Sequence, residues 1–229
     1  LCKPGAYRRR MARSGRMTRG KRLFDILFSL YLMAFLAPVF VVVTWNIWRK
    51  QGRPIFHGSE RMKTPTESFV LWKYRTMQPA PSDSGVTGGD KAARVTNYGR
   101  ALRQRRLDEL PQLWNILRGD ISFVGPRPPL RRYVEMFPDL YARILASRPG
   151  VTGLASLIFA PHEDRHLART TTPTQTEAVY IGICIPRKAR LDLLYHRHRS
   201  FWLDVKLISW TTARFFPGRL RPRRKGRPV

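Results

Sequence analysis

One uncharged, apolar stretch near the start of the chain dominates its hydrophobic pattern. Residues 26–48 contain no Asp, Glu, Lys or Arg, and about 20 apolar residues are enough for a helix to span a lipid bilayer. Basic residues lie on both sides of this stretch, which by the positive-inside rule places both ends on the cytoplasmic side. Pro38 lies in the middle and removes a backbone hydrogen bond, so the sequence predicts a break at Ala37 and Pro38. We therefore expect a re-entrant helical hairpin over residues 21–50.

Other interpretations of the same stretch are open. A single helix, kinked at Pro38 and crossing the membrane completely, has the same composition. A cleavable signal peptide fits less well, because no small-residue cleavage site follows and Trp45 and Trp48 are typical of the membrane interface. Asp25 is expected at that interface, since a carboxylate deeper in the bilayer is costly.

The rest of the chain alternates in a way that predicts one β-hairpin and then mainly helices. Residues 55–74 predict the hairpin, and the Gly- and Pro-rich residues 78–90 predict a loop. Apolar residues at helical spacing are found in segments 95–106, 112–118, 132–146, 188–199 and 201–216, the last strongly amphipathic.

The expected fold class is α/β, mostly helical with a short sheet, with a small domain on the re-entrant N-terminal membrane hairpin. We expect four parts: a basic N-terminal segment (1–20), the hairpin (21–50), a cytosolic domain with interfacial amphipathic helices (51–216) and a basic disordered tail (217–229). No internal repeat is visible.

The chain carries a strongly positive charge, which narrows the classes of molecule it is expected to bind. There are 43 Lys and Arg against 15 Asp and Glu, a net charge of +28, which indicates an anionic partner such as an acidic membrane surface, a phosphorylated small molecule or nucleic acid. Nucleic acid is not expected, because no helix-turn-helix, zinc-finger or RNA-binding motif is present. Cys2 and Cys184 form no disulfide framework or zinc motif.

Two adjacent carboxylates stand out in this basic chain. Asp108 and Glu109 precede a short helix that Pro111 can begin and Gly119 can end, and Asp120 follows. A negative site in a positive field suits a divalent metal and a phosphate. Simple capping of the helix explains the pair equally well on spacing alone.

Basic residues near turns are candidate phosphate ligands, since guanidinium groups bind phosphate oxygens with two-pronged geometry. Arg103 lies on a basic helix that leads into the carboxylate pair, and Arg127 and Arg148 stand in the Gly- and Pro-rich sequences GPRP and RPGVTG. Each of these also fits an ordinary solvated helix face or a structural turn.

Five motifs in this order give the chain a resemblance to a known family. They are KRLFD (21–25), KYRTM (73–77), LDELPQLWN (107–115), GDISFVGPRP (119–128) and RPGVTG (148–153). The chain resembles the bacterial sugar transferase family, monotopic phosphoglycosyl transferases that begin the assembly of surface glycans on a polyprenyl carrier. The resemblance covers residues 21–216.

The resemblance implies transfer of a sugar 1-phosphate from a UDP-sugar to polyprenyl (undecaprenyl) phosphate, with release of UMP, as the first membrane step of exopolysaccharide, capsule, O-antigen or glycoprotein glycan assembly. It implies Mg²⁺ and a location at the cytoplasmic face of the bacterial inner membrane, among anionic lipids. A homo-oligomer is left open.

The resemblance also implies roles for single residues. Asp108 is the expected nucleophile, and Glu109 is expected to hold the metal or manage a proton. Asp120 joins these two as a candidate metal ligand. The candidate ligands of substrate phosphate and nucleotide are Lys73, Arg75, Arg103, Arg127 and Arg148.

The chain departs from the family's pattern at three places. Ala37 replaces a Ser before the helix-breaking Pro, Arg106 replaces a small hydroxyl residue before the carboxylate pair, and residues 156–167 differ from the common sequence, which leaves the sugar open. Two rival hypotheses are therefore kept: a catalytically inactive, membrane-anchored family member, and a non-enzymatic basic protein that binds membranes or nucleic acid.

Overall fold

The computed structural model describes residues 17–78 and 93–213. The predictions for the basic ends of the chain and for most of the loop at 78–90 lie outside these residues. The helices are α1 (Arg19–Phe35), α2 (Ala37–Gln51), α3 (Asn97–Gln104), α4 (Gln112–Arg118), α5 (Arg131–Met136), α6 (Pro138–Ile144), α7 (Leu154–Ile158), α8 (Ala160–Leu167), α9 (Pro173–Val179), α10 (Ile185–His198) and α11 (Phe201–Ala213). The strands are β1 (Phe56–Met62), β2 (Ser68–Tyr74), β3 (Ser122–Val124) and β4 (Gly150–Thr152). A mostly helical α/β fold is confirmed.

The first two helices form one bent pair. No single described helix is long and apolar enough to cross a membrane, whereas α1 and α2 together have the length and composition and are bent by 63°. The bend is at Leu36, one residue before Ala37 and Pro38. Pro38 falls in the first turn of α2, where its missing N–H leaves no hydrogen bond unmade, so the second helix starts just ahead of it.

The predicted hairpin is present, and a second sheet was not predicted. β1 and β2 pair antiparallel, with Arg61 opposite Phe69 and His57 opposite Lys73. β3 and β4 pair in parallel, and α5 and α6 lie between them in the chain. Each of these strands has three residues, which is too short for alternation to be detected in the sequence.

One helix prediction needs correction. The single helix expected over residues 132–146 is divided into α5 and α6, because Pro138 cannot donate the next helical hydrogen bond and starts a new helix instead. The buried side of α11 carries a polar as well as an apolar residue: Leu207 is 1% and Asp204 6% exposed, whereas Trp202 is 78% exposed. Asp204 is buried because it pairs with Lys21 of α1 at 2.6 Å.

Three groups of buried apolar side chains hold the elements together. The first joins α1, β2, α4, β3 and α11 through Phe28, Leu71, Ile116, Phe123 and Leu207. The second joins α5, α6 and α10 through Tyr133, Ile144 and Ile185. The third joins α2 to β2 and α3 through Ile47, Tyr74 and Leu102. The segment between α3 and α4 is therefore fixed from several sides.

Candidate active site

The adjacent carboxylates occupy a tight turn between α3 and α4. Residues Leu107–Glu109 form one 3₁₀ turn, which begins after Arg106 in the left-handed conformation, with φ of 55°. Asp108 is 7% exposed and Glu109 is 9% exposed. No side chain in the described part of the chain caps α4, whose N-cap is Pro111. The alternative that these carboxylates simply cap the helix is therefore not what the structure has.

Glu109 is surrounded by three cations. Its Oε1 accepts a hydrogen bond from Arg127 Nη2 at 2.9 Å and lies 3.5 Å from both Lys73 Nζ and Arg106 Nη1. Burial raises the pKa of Glu109, but the charges of Arg127, Lys73 and Arg106 outweigh it and lower the pKa to about 2. Glu109 is therefore ionised at neutral pH and is a poor proton acceptor.

The pKa of Asp108 is shifted in the opposite direction, upwards. Burial and the charge of Glu109 raise its pKa, against the opposing effect of Lys73, Arg103 and Arg106. Its Oδ1 is buried and has no hydrogen-bond partner within residues 17–78 and 93–213. An unpartnered buried carboxylate oxygen is costly, so this oxygen is a candidate to bind a substrate group or a metal.

Lys73 reaches the turn because it continues the buried face of β2. Phe69 and Leu71 precede it on that face and are buried, as the period of two in a strand requires. Burial and the charge of Arg127 lower the pKa of Lys73 to about 8, although Glu109 and Asp108 act to raise it. Its charge therefore changes close to physiological pH.

Two further arginines belong to this basic surrounding. Arg103 donates a hydrogen bond through Nε to Thr76 Oγ1 at 2.9 Å, and its charge lowers the pKa of Asp108. Arg61 was not predicted: burial and the charge of Arg127 lower its pKa to about 10, and it lies beside the Arg127 loop. The register of the hairpin could have identified Arg61 as a site residue, because it places Arg61 and Lys73 on the same face of the sheet.

Arg75 and Arg148 are held at other places. Arg75 donates to the carbonyls of Gln51, Gly52 (2.9 Å) and Arg53 (3.1 Å), so its guanidinium closes the C-terminal end of α2. Arg148 donates to the carbonyl of Gly119, at the end of α4 opposite the carboxylate turn. The structure therefore assigns both to helix ends and does not join them to the cations around Glu109.

Asp120 also has a different setting from the one expected. Its Oδ2 accepts from Asn115 Nδ2 at 3.1 Å, and the same amide bonds the backbone of Val70 and Trp72 at 2.8 and 3.0 Å. Among the residues described, no three His, Cys, Asp or Glu side chains form a group that could hold a metal. The expected triple of Asp108, Glu109 and Asp120 is therefore not assembled: Asp120 is bonded to Asn115, the residue that joins α4 to β2.

A second charged group adjoins Arg127 and was missed in the sequence. Lys188 of α10 donates to Glu163 of α8 at 2.9 Å and to Tyr180 Oη at 3.3 Å. Glu163 and Tyr180 both raise the pKa of Arg127. Glu163 lies in the part of the chain that departs from the family's common sequence, so this variable segment reaches the edge of the site.

The chain is similar in sequence to several known proteins. A sequence model of bacterial sugar transferases matches residues 16–218. The "Uncharacterized sugar transferase EpsL" of Bacillus subtilis is 31% identical over 194 residues, or 85% of this chain and 86% of EpsL.

Two longer relatives carry more specific names. The "UDP-glucose:undecaprenyl-phosphate glucose-1-phosphate transferase" of Klebsiella pneumoniae is 31% identical over 200 residues, or 86% of this chain and 40% of that protein. The "UDP-N-acetylgalactosamine-undecaprenyl-phosphate N-acetylgalactosaminephosphotransferase" of Aeromonas hydrophila is 28% identical over 204 residues, or 86% and 44%. This chain thus spans less than half the length of these two. The match over most of its residues shows that the chain belongs to the bacterial sugar transferase family.

Proposed function

We propose that this protein transfers a sugar 1-phosphate from a UDP-sugar to polyprenyl phosphate, with Asp108 as a covalent nucleophile. The observation that carries the proposal is the unpartnered, buried Oδ1 of Asp108 within a ring of cations held by Glu109. The names of the longer relatives support the class of acceptor. Because those names differ in the sugar, the donor sugar is left to experiment.

In the first step, an oxygen of the Asp108 carboxylate attacks the β-phosphorus of the UDP-sugar. The bond between that phosphorus and the oxygen bridging to the α-phosphate breaks, and UMP leaves with the bridging oxygen. The sugar phosphate is then joined to Asp108 as a mixed anhydride. A carboxylate is a suitable nucleophile once phosphate charge is neutralised, as in other aspartyl-phosphate enzymes.

In the second step, an oxygen of polyprenyl phosphate attacks the same phosphorus. The bond to Asp108 breaks, which restores its carboxylate and leaves a polyprenyl diphosphate sugar. Asp108 needs no proton in either step, although a protonated Asp108 cannot attack. Its raised pKa therefore limits the reaction on the acid side.

The surrounding cations neutralise the phosphates, which is the main contribution a protein makes to phosphoryl transfer. Lys73, Arg103 and Arg127 act at the carboxylate turn. Glu109 keeps Lys73 and Arg127 in place by ion pairs at 3.5 and 2.9 Å. Of the two roles expected for Glu109, the low pKa disfavours proton transfer and leaves metal binding.

We propose Mg²⁺ as the metal, because it is commonly bound by one or two carboxylates together with substrate phosphates. The free Oδ1 of Asp108 and the carboxylate of Glu109 would be its oxygen ligands. When bound, the ion supplies charge neutralisation at the diphosphate and a better leaving group. Asp120 is not required for this arrangement.

A membrane location belongs to the same proposal. The bent pair of α1 and α2 exposes a continuous series of large apolar residues, among them Leu27, Leu30, Tyr31, Phe35, Val41, Val42, Trp45 and Trp48. Apolar surface of this extent is typical of contact with lipid or protein. Basic residues at both ends support a hairpin that enters and leaves the cytoplasmic face, with the site just outside the bilayer.

The test is UMP release by the detergent-purified protein from a panel of UDP-sugars, with polyprenyl phosphate and Mg²⁺, for the native protein and Asp108→Asn. We expect release from at least one donor by the native protein and loss of at least about 10³-fold in Asp108→Asn, as for removal of a covalent nucleophile. Asp139→Asn, an exposed carboxylate on α6, is the matched control and keeps full activity.

Mass spectrometry of the intact protein separates the covalent mechanism from direct transfer. With donor alone, the native protein gains the mass of one sugar phosphate, and Asp108→Asn gains none. Turnover without this adduct contradicts the covalent step. Donor binding with neither adduct nor UMP, in folded protein, favours the inactive-member hypothesis.

A further inference from the structure

A cavity of about 630 Å³ lies at the C-terminal end of α2, between the exit of β2 and the start of α3. Its lining residues include Lys50, Gln51, Arg75, Met77, Tyr98 and Ala101. A volume of this size is typical of small-molecule sites. None of these residues belongs to the carboxylate turn at Leu107–Glu109.

Three polar atoms of the cavity lining lack partners. Both polar atoms of the Gln51 side chain and the Nε of Arg75 are buried without a hydrogen bond within the described residues. Buried polar atoms are normally satisfied, so three orphaned atoms at one cavity indicate a polar ligand. Lys50 adds a charge, with its ammonium 5.0 Å from the ring centre of Tyr98.

The charge of the lining residues indicates that the ligand is an anion. The described residues that line the cavity include two basic side chains, Lys50 and Arg75, and no acidic one. An anion with several acceptor oxygens satisfies the amide N–H of Gln51, the Nε of Arg75 and the Lys50 ammonium together. A phosphate group has this chemistry.

The position of the cavity indicates which kind of molecule carries the phosphate. The cavity opens two residues after Trp48, and Trp45 and Trp48 are about half exposed on α2, as expected for residues at a membrane interface. Next to Arg75 and Met77, Thr76 Oγ1 accepts a hydrogen bond from Arg103 Nε at 2.9 Å. The charge of Arg103 in turn lowers the pKa of Asp108. The cavity therefore adjoins the C-terminal end of α2, and its lining residues Arg75 and Met77 flank Thr76, the partner of Arg103.

We propose that this cavity binds the phosphate of a membrane lipid, with the apolar tail passing back along α2. The inference rests on the proposed function, because it takes the acceptor phosphate from the membrane side. Polyprenyl phosphate on its way to Asp108 and the headgroup of an anionic phospholipid share this chemistry, and the experiment distinguishes them.

The test uses Gln51→Leu and Lys50→Gln in the full chain, reconstituted in phosphatidylcholine nanodiscs with and without phosphatidylglycerol. Arg49→Gln is the matched control, because Arg49 carries the same charge on the same helix end but does not line the cavity. The readouts are KM for polyprenyl phosphate, KM for the donor, and the single equivalent of UMP released without acceptor.

We expect each cavity variant to raise KM for polyprenyl phosphate by about tenfold, as for loss of one hydrogen bond to a charged group, and Arg49→Gln to change it less than twofold. Donor KM and the first equivalent of UMP stay the same. An effect that persists in phosphatidylcholine alone identifies the polyprenyl phosphate as occupant. An effect seen only with phosphatidylglycerol identifies the phospholipid headgroup.

Three results overturn the inference: unchanged acceptor KM in both membranes, equal effects of Lys50→Gln and Arg49→Gln, or a change in donor KM instead. Absence of UMP release by the native protein is a failure of the proposed function. In that case native mass spectrometry of retained polyprenyl phosphate and phosphatidylglycerol, compared between the native protein and Gln51→Leu, still decides the cavity. Equal retention of both lipids by the two proteins overturns it.

Discussion

Arg127 donates a 2.9 Å hydrogen bond to Glu109, and this bond fixes the loop after β3 to the carboxylate turn. Glu109 thus forms ion pairs with Lys73, Arg106 and Arg127. Its neighbour Asp108 keeps one oxygen, Oδ1, without a hydrogen-bond partner among the described residues. Two adjacent acids in one turn have opposite pKa shifts: burial and the charge of Glu109 raise the pKa of Asp108, whereas the charges of Arg127, Lys73 and Arg106 outweigh burial at Glu109 and lower its pKa. This difference is the basis of the first two predictions.

Glu109→Gln is expected to lower both turnover and stability. The change leaves Lys73 and Arg127 without their counter-ion, and the loss of one preorganised electrostatic contact typically costs about 10²-fold in kcat. Breaking a buried ion pair on one side is strongly destabilising. Steady-state UMP release and thermal unfolding in detergent measure the two effects, and Glu109→Asp is expected to recover part of each.

The same carboxylate makes a pH-dependent contribution to stability. Because the folded pKa of Glu109, about 2, lies below its ordinary value of 4.5, its contribution is present above pH 4.5 and is lost as pH falls from 4.5 towards 2. The difference in melting temperature between native protein and Glu109→Gln is therefore expected to shrink over this range. A constant difference contradicts the assignment.

Turnover is expected to fall as pH rises through about 8. The reason is that Lys73, whose pKa is lowered from 10.5 to about 8, loses the charge that faces the phosphates. In Lys73→Arg the alkaline limit moves to higher pH, because Arg stays protonated up to about pH 12. The measurement is kcat against pH for both proteins, and an unchanged limit in Lys73→Arg excludes Lys73 as its source.

Arg106 is expected to be replaced better by Gly than by Ala. Its φ of 55° costs a non-glycine residue about 1 kcal/mol, and both substitutions remove the same ion pair to Glu109. Arg106→Gly should therefore be more stable than Arg106→Ala by about that amount. At Arg100, exposed within α3, the order should be reversed by a similar amount. Chemical unfolding of the four variants checks both signs.

The pairing of α1 with α11 predicts strong coupling between two distant residues. Lys21 Nζ lies 2.6 Å from Asp204 Oδ2, and Tyr195 donates to Asp204 Oδ1 at 2.7 Å. Asp204→Asn or Lys21→Met alone is expected to cost about 3 kcal/mol, and the double variant much less than the sum.

The exposed pair of Glu60 and Arg131, also at 2.6 Å, is the comparison for this cycle. Because both side chains are about half exposed, its coupling should be under about 1 kcal/mol. Equal coupling energies at the two pairs contradict the difference in burial.

Gly125 is expected to tolerate no side chain. A Cβ there would lie 2.1 Å from the carbonyl oxygen of Arg148, so Gly125→Ala must displace the loop that carries Arg127. We expect a clear loss of activity and of melting temperature. Gly182→Ala, where nothing lies within 4 Å of the added atom, should leave activity unchanged.

The sequence was most informative where a pattern is local. The apolar stretch, the Pro38 break and the β1–β2 hairpin follow from spacing and charge, and Asp108 and Glu109 stand out because acids are rare in this chain. The partners of Arg75 and Arg148 do not follow from the sequence. A guanidinium in a turn motif has the same sequence signal whether it binds a phosphate or a helix-end carbonyl, and only tertiary contacts distinguish these two roles.

Arg61 and Lys188 show the same limit from the other side. Each is one basic residue among many, and each becomes significant only because the fold places it beside Arg127. The two short parallel strands were missed because three residues are too few to alternate.

Arg22 of α1 donates to the carbonyls of Ile116 and Leu117 at 2.5 Å, at the end of α4. The other end of α4 adjoins the turn with Asp108. Because a seven-residue helix is short and stiff, a change in the tilt of α1 is expected to move the turn that carries Asp108. If α1 lies in a membrane, as proposed, the thickness and curvature of that membrane would affect the position of the proposed nucleophile.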